Sequence, residues 1–390
     1  MEVETPAHQR RAPQPCEDGQ TSATSRALRN PLLVVNFILM VVGTAGGPLC
    51  LRAYFLYGGN RKWLSSFVQT AGSPLLLVPL YFSFRRRRVA DANGGAPSLS
   101  TMTKPSTGSS ARFFLMTPRL LAASTVIGVL MGLDDLLYAY GLAYLPVSTS
   151  SILISTQLAF TAGFALLLVR QRFTAFSVNA LVLLSVGAAM LGMNASGDRP
   201  PGVSAAQYGA GFAMTLGAAA LFGLMLPAME LSQARHAARA GPGAVNYALV
   251  MEMQLVIGLA ATAFSAVGMV VNNDFHAIPR EAREFGLGGQ SGYYLLMGGS
   301  MLVYQCFFLG TIGAIFFGSA LLAGVIVTVL IPITEVLAVM LFREPFSGTK
   351  GVALALSLWG FVSYFYGEVQ RANKANRQAD KAPGAAHLDP

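Results

Sequence analysis

Charge is scarce in this 390-residue sequence. Only 12% of residues are Asp, Glu, Lys or Arg, against about 25% in a typical soluble domain, which excludes an ordinary water-soluble globule. Cysteine is nearly absent. Cys16, Cys50 and Cys306 have no paired spacing, so neither a disulfide framework nor a thiolate metal site is expected. Histidine is equally rare: His8, His236, His276 and His387 all fall outside the apolar stretches, and no His–carboxylate cluster exists. That argues against metal-dependent membrane hydrolases and desaturases, so no enzyme activity and no cofactor are expected. The first thirty residues lack an apolar core; they read as a disordered tail rather than a cleaved signal peptide. The net charge of +9 would suit nucleic acid. Its basic residues, however, lie in loops and tails between apolar spans, where membrane orientation explains them better.

What the sequence has in quantity is apolar length. Hydrophobic residues make up 53%, and the mean hydropathy is positive. A helix needs about 20 apolar residues to cross the hydrocarbon of a bilayer. Ten stretches qualify: 32–56, 64–84, 120–142, 147–169, 173–193, 206–228, 245–271, 293–313, 319–341 and 349–368. The expectation is an all-α integral membrane protein. Residues 1–30 form a tail, 31–193 and 206–368 are two five-helix halves, and 369–390 is a second disordered tail. A long connection, 85–118, opens with Arg85, Arg86, Arg87 and Arg88 and turns Ser/Thr/Gly/Pro-rich. Such composition builds no core.

Placing both termini in the cytoplasm puts 19 Lys and Arg inside and 7 outside, with Arg52 within span one. This asymmetry favours that orientation. Charge does not name the membrane; the expected location is the plasma membrane. An internal repeat agrees. Arg170-Gln171-Arg172-Phe173-Thr174 parallels Arg343-Glu344-Pro345-Phe346-Ser347, and at the same shift of 173 residues Thr161 falls on Thr334 and Gly187 on Gly360. Spans four and five thus match nine and ten. A shift of five spans inverts one half relative to the other, a recurring plan of secondary transporters.

Polar residues at membrane depth point to the site. Asp134 and Asp135 are adjacent in the middle of span three, where one carboxylate costs roughly 2.5–3.5 kcal/mol on insertion scales. Two in a row suggest a polar cavity, and thus movement of a polar solute or a proton. Consecutive helix residues point about 100° apart, so one of the pair is free to be structural. Tyr138 shares a face with Asp134. Glu252 and Glu335 are further carboxyls inside spans, and Glu230 lies at the inner end of span six. Gln157 falls near the middle of span four; a packing role and a ligand contact are both open. Gln305, beside Tyr304, falls near the middle of span eight. A Gln amide offers a donor and an acceptor side by side, matching N6 and N7 of adenine, though many polar solutes would be served as well. Gly43, Gly46, Gly47 and Pro48 break up the apolar pattern of span one, and Pro74, Pro227 and Pro332 that of later spans; ordinary tolerance of Gly and Pro in membrane helices and bending during alternating access are both open.

Several runs resemble the plant purine permease family, within the drug/metabolite transporter superfamily. They include Gly58-Gly59-Asn60-Arg61-Lys62-Trp63, Gly132-Leu133-Asp134-Asp135, Tyr144-Leu145-Pro146-Val147-Ser148, Thr156-Gln157-Leu158-Ala159-Phe160, Val250-Met251-Glu252-Met253-Gln254, Gln305-Cys306-Phe307-Phe308-Leu309-Gly310 and Pro332-Ile333-Thr334-Glu335-Val336. The resemblance covers about residues 30 to 370 in order. It implies the drug/metabolite transporter fold, ten transmembrane helices in two inverted halves. It also implies proton-coupled import of adenine-like compounds including cytokinins, and in some members alkaloids or vitamin B6 forms. Gln157, Gln305, Tyr304 and Tyr138 are then the candidate substrate contacts. Asp134, Glu252, Glu335 and Asp135 are the candidate proton carriers. The expected partners are a small purine-like solute, protons and the lipid bilayer. An exporter or exchanger of another metabolite or alkaloid on the same fold is the alternative.

Overall fold

The computed structural model describes residues 31–92, 116–169, 175–193, 199–241, 246–317, 330, 334, 336–343 and 346–381. They form helices α1 (Pro31–Leu56), α2 (Lys62–Thr70), a 3₁₀ turn (Ser73–Leu76), α3 (Leu77–Ala92), α4 (Pro118–Tyr144), α5 (Val147–Ser155), α6 (Gln157–Val169), α7 (Ala175–Met193), α8 (Ala205–Ala240), α9 (Tyr247–Val271), α10 (Asp274–Glu284), α11 (Gly289–Phe317) and α12 (Gly348–Lys381). No strand occurs among the described residues. Hydrocarbon offers no partner to a backbone N–H or C=O, and a helix satisfies both within one segment. Local signals fix several starts. Pro118 occupies the first turn of α4, where its missing N–H costs nothing. Ser204 and Gln207 form a reciprocal capping box on α8. Asn246 accepts from the Leu249 N–H at the head of α9, 2.9 Å.

Among the described residues, six segments are long and apolar enough to cross a membrane: Val34–Leu56, Lys62–Arg86, Pro118–Tyr144, Ala205–Ala240, Tyr247–Val271 and Gly289–Thr311. Residues of the expected fourth span form α5 and α6, which meet at a turn at Thr156. Those of the expected fifth fall in α7 and those of the expected tenth in the first part of α12. The ninth lies mostly outside the described residues. Span two is interrupted at the 3₁₀ turn that contains Pro74.

Glycine sets how closely these helices approach. A Cβ on Gly43 would overlap the backbone of Phe307, and one on Gly310 would overlap Met40 and Asn36, so α1 and α11 touch main chain to main chain. In α4, a Cβ on Gly132 would come within 3.0 Å of the Ala261 carbonyl of α9. Small residues four apart are the usual means of close helix contact in membranes. Gly43, Gly46, Gly47 and Pro48 therefore fit ordinary tolerance in a membrane helix rather than a break, as does Pro227 inside α8. α1 runs unbroken, and its glycines are contact points. α1 packs mainly on α11, α8 on α4, α12 on α7 and α9 on α4. At the α7–α12 contact, Gly187 faces Ala353 and Ser357 while Gly360 faces Ala180 and Leu184.

Three boundaries and one further helix differ from the sequence reading. The 85–118 connection begins as helix, since α3 continues to Ala92. α8 extends past residue 228 to Ala240, and α12 past 368 to Lys381. Ala, Arg, Lys and Gln dominate these extensions and favour helix without any apolar face. α10 was expected to be loop. The tail 1–30, most of 85–118, residues 382–390 and the Arg170–Thr174 arm of the repeat lie outside the described residues.

Candidate functional site

The polar residues of span three meet a polar face of α2. Gln69 Nε2 donates to the Asp135 carbonyl at 3.1 Å, and Ser66 Oγ to the Gly132 carbonyl at 3.2 Å. Ser66 also reaches Ser265 of α9 at 2.8 Å, and the Thr70 and Thr262 hydroxyls are 3.0 Å apart. These bonds tie α2, α4 and α9 together just before the break in span two. At the break itself, Gly72 lies against the Met301 carbonyl and Gln305 Cβ of α11, and Ser73 lies against Gly258 of α9. The interruption thus brings irregular backbone up to the middle of α11, and irregular backbone at membrane depth is tolerated where it lines protein or a cavity.

Around this break the side chains are buried and incompletely bonded. Asp134 is 8% exposed and Asp135 6%. Tyr304 and Gln305 are likewise buried, and Tyr304 packs its ring on Gly47 of α1. Tyr304 lies within electrostatic reach of Tyr138 and Asp135, and Tyr138 within reach of Asp134. Among the described residues no hydrogen-bond partner meets Asp134 Oδ1, Asp135 Oδ2, Tyr304 OH, Gln305 Nε2 or Ser73 Oγ. Buried polar atoms are nearly always paired in native structures, so a concentration of unpaired ones marks a place for water, an ion or a ligand.

Of the residues singled out in the sequence, Asp134, Asp135, Tyr138, Tyr304 and Gln305 converge here. Gln157 does not join them through any hydrogen bond or ion pair among the described residues. It begins α6, where its carbonyl accepts from Thr161 Oγ1 at 2.8 Å and packs on Gly223 of α8. Glu252 is buried near the start of α9, at 1% exposure. Glu335 lies outside the described residues, as does the Glu230 side chain. Gln69 and Ser73 were missed. A Gln inside span two, six residues from Trp63, was a visible signal of the kind that drew attention to Gln305.

A second polar group closes one end of the bundle. Arg61, in the short link after α1, reaches Asp274 Oδ1 at 3.2 Å and Glu281 Oε2 at 3.7 Å, both on α10. The Tyr54 hydroxyl donates to Glu281 Oε1 and accepts from the Arg61 N–H at 3.0 Å. Tyr293 donates to the same Glu281 oxygen at 3.2 Å. The Gly286 N–H donates to the Tyr57 carbonyl at 2.9 Å. Lys62 Nζ sits 5.9 and 5.3 Å from the ring centres of Tyr140 and Tyr144, within cation–π range. Arg52 Nη1 donates to the Leu142 carbonyl at 2.8 Å. α10 is in this way clamped onto the α1–α2 link. Its amphipathic pattern, Asp274 through Glu284, was the sequence signal for it.

Residues 31–374 match the family described as purine nucleobase transmembrane transport. Purine permease 3 of Arabidopsis thaliana is 45% identical over 346 residues, covering 89% of this chain and 93% of its own. Purine permease 2 of Arabidopsis thaliana is also 45% identical, over 90% of this chain and 96% of its own. Probable purine permease 11 of the same plant is 33% identical over 86% and 82%. One solved crystal structure aligns at 16% identity and a TM-score of 0.47, over 86% of this chain and 96% of that one. The chain belongs to the purine permease family.

Proposed function

We propose that the protein imports purine nucleobases and related flat heterocycles, adenine and cytokinins among them, together with protons. The observation that carries this reading is the set of unpaired buried atoms on Asp134, Asp135, Tyr304 and Gln305. Each such atom left unbonded costs about 1–3 kcal/mol. A heterocycle with adjacent donors and acceptors satisfies the amide and hydroxyl, and a proton satisfies a carboxylate. The names of the relatives favour a purine as the solute. Gln157, at the head of α6, is proposed as a second substrate contact. Glu252 and Glu335 are proposed as further proton carriers.

The proposed frame is ten spans in two inverted halves, 31–193 and 206–368. Two features support it. The shift of 173 residues carries Ala180 onto Ala353, Leu184 onto Ser357 and Gly187 onto Gly360, so the two halves of the α7–α12 contact exchange under it. Such reciprocal contact is the mark of a two-fold relation. The pairing of spans one and eight is likewise answered by that of six and three. The Arg61 contacts put the links after spans one and seven on one side, as six crossings between them require. The charge asymmetry favours that side as the exterior and both termini as cytoplasmic; the plasma membrane is the proposed location.

Labelled adenine uptake in yeast lacking its own adenine uptake tests the reading. Saturable accumulation that collapses with a protonophore is expected. Surface-expressed protein that takes up no adenine would overturn it.

A further inference from the structure

We propose that a cleft on α3 is a binding site for the phosphorylated headgroup of an anionic membrane lipid. The cleft is shallow and open, about 430 Å³, and is lined by Phe82, Arg85, Arg86 and Val89 of this one helix. These four positions follow the spacing i, i+3, i+4, i+7, which places them on one helical face. All four side chains are exposed. Among the described residues neither Arg85 nor Arg86 makes an ion pair or side-chain hydrogen bond.

Location decides the occupant. The apolar span that starts at Lys62 ends at Arg86, so this face straddles the border between hydrocarbon and water. Exposed Leu77, Val78 and Tyr81 precede it, and Tyr81 stacks edge-on against Phe82 at 6.0 Å, as aromatic residues do at headgroup level. Two guanidinium groups on consecutive residues of one turn present forks suited to phosphate oxygens. Phe82 and Val89, above and below them, suit the apolar shoulder of a lipid. Orientation alone accounts for a run of four arginines. It does not account for two of them sharing a cleft with an aromatic and an aliphatic side chain.

The control is built into the sequence, because Arg87 and Arg88 belong to the same run. Arg85→Gln with Arg86→Gln removes the same charge as Arg87→Gln with Arg88→Gln. Full-length protein is purified and delipidated, then exposed to phosphatidylcholine vesicles with and without phosphatidylinositol phosphate. Lipid retained by the folded protein is measured by native mass spectrometry. The parent is expected to retain the anionic lipid selectively. The 85/86 variant should lose about tenfold in affinity and the 87/88 variant less than about twofold. Arg85→Lys with Arg86→Lys keeps the charge for insertion but loses the fork, and falls between them. Equal loss in both Gln variants would mean diffuse attraction, and no loss in either would mean no site; both results overturn the proposal.

Discussion

Asp135 shows how one residue is divided between structure and chemistry. Its carbonyl accepts from Gln69 and holds α2 against α4, while its Oδ2 stays unpaired in the interior. The backbone role survives replacement by Asn; the carboxylate role does not. Gln305 is simpler, since its Nε2 has no partner among the described residues and sits against the broken segment of span two. Gln305→Leu keeps the volume and removes the donor. Apparent affinity for adenine is expected to fall about five- to over a hundredfold while surface expression persists. Concentration-dependent uptake measures this, and unchanged affinity would return Gln305 to packing. The sequence announced Asp134, Asp135 and Gln305 because polar side chains at membrane depth are conspicuous in an apolar run. It could not announce which of their atoms are left unbonded, because that depends on Gln69, Ser66 and Gly72 arriving from another span.

Helices here meet through glycine and are held at one end by ionic and tyrosine contacts. Gly43 admits the backbone of Phe307, so Gly43→Val forces α1 away from α11, a cost of about 1–3 kcal/mol. Gly209 in α8 has nothing within 4 Å of its missing Cβ, so Gly209→Ala leaves stability unchanged or raises it by up to about 1 kcal/mol. Thermal unfolding of the purified proteins separates the two; equal shifts would reject the close-contact reading. The α10 clamp makes a second forecast. Glu281 accepts from both Tyr54 and Tyr293, so Glu281→Ala leaves two hydroxyls without their acceptor and destabilises by about 1–3 kcal/mol. Arg61 is partly exposed, so Arg61→Ala is expected to cost less. A larger loss at Arg61 would assign the clamp to the ion pair. Helix existence and most span limits were legible because apolar length is a strong signal. The break at Gly72–Pro74 was legible only as a proline, and α10 only as an amphipathic pattern that carries too much charge to read as a span.

The proposed inverted halves and orientation together define what a transport cycle would require. A tag after Ser100 is expected to be hidden from impermeant reagents in intact cells, and labelling there would reverse the orientation. The identity of the proton carrier follows from what each carboxyl can reach. Asp134 and Asp135 stand beside Tyr138 and Tyr304, at the level where α2, α4 and α11 converge. Glu252 lies nearer one end of its helix. A carrier must take a proton from the outer side and release it to the inner side as the cavity alternates, so lower external pH fills it more completely. Import should rise as external pH falls and collapse when a protonophore equalises the two sides. Asn at the carrier position imitates the protonated acid: it permits binding and exchange and abolishes accumulation against a gradient. Asp134→Asn and Asp135→Asn are the first variants to measure, with Glu252→Gln and Glu335→Gln beside them. At least one should uncouple exchange from accumulation. If all four concentrate adenine with the parental pH dependence, these carboxyls do not carry the driving proton, and the paired acids of span three serve binding or packing instead.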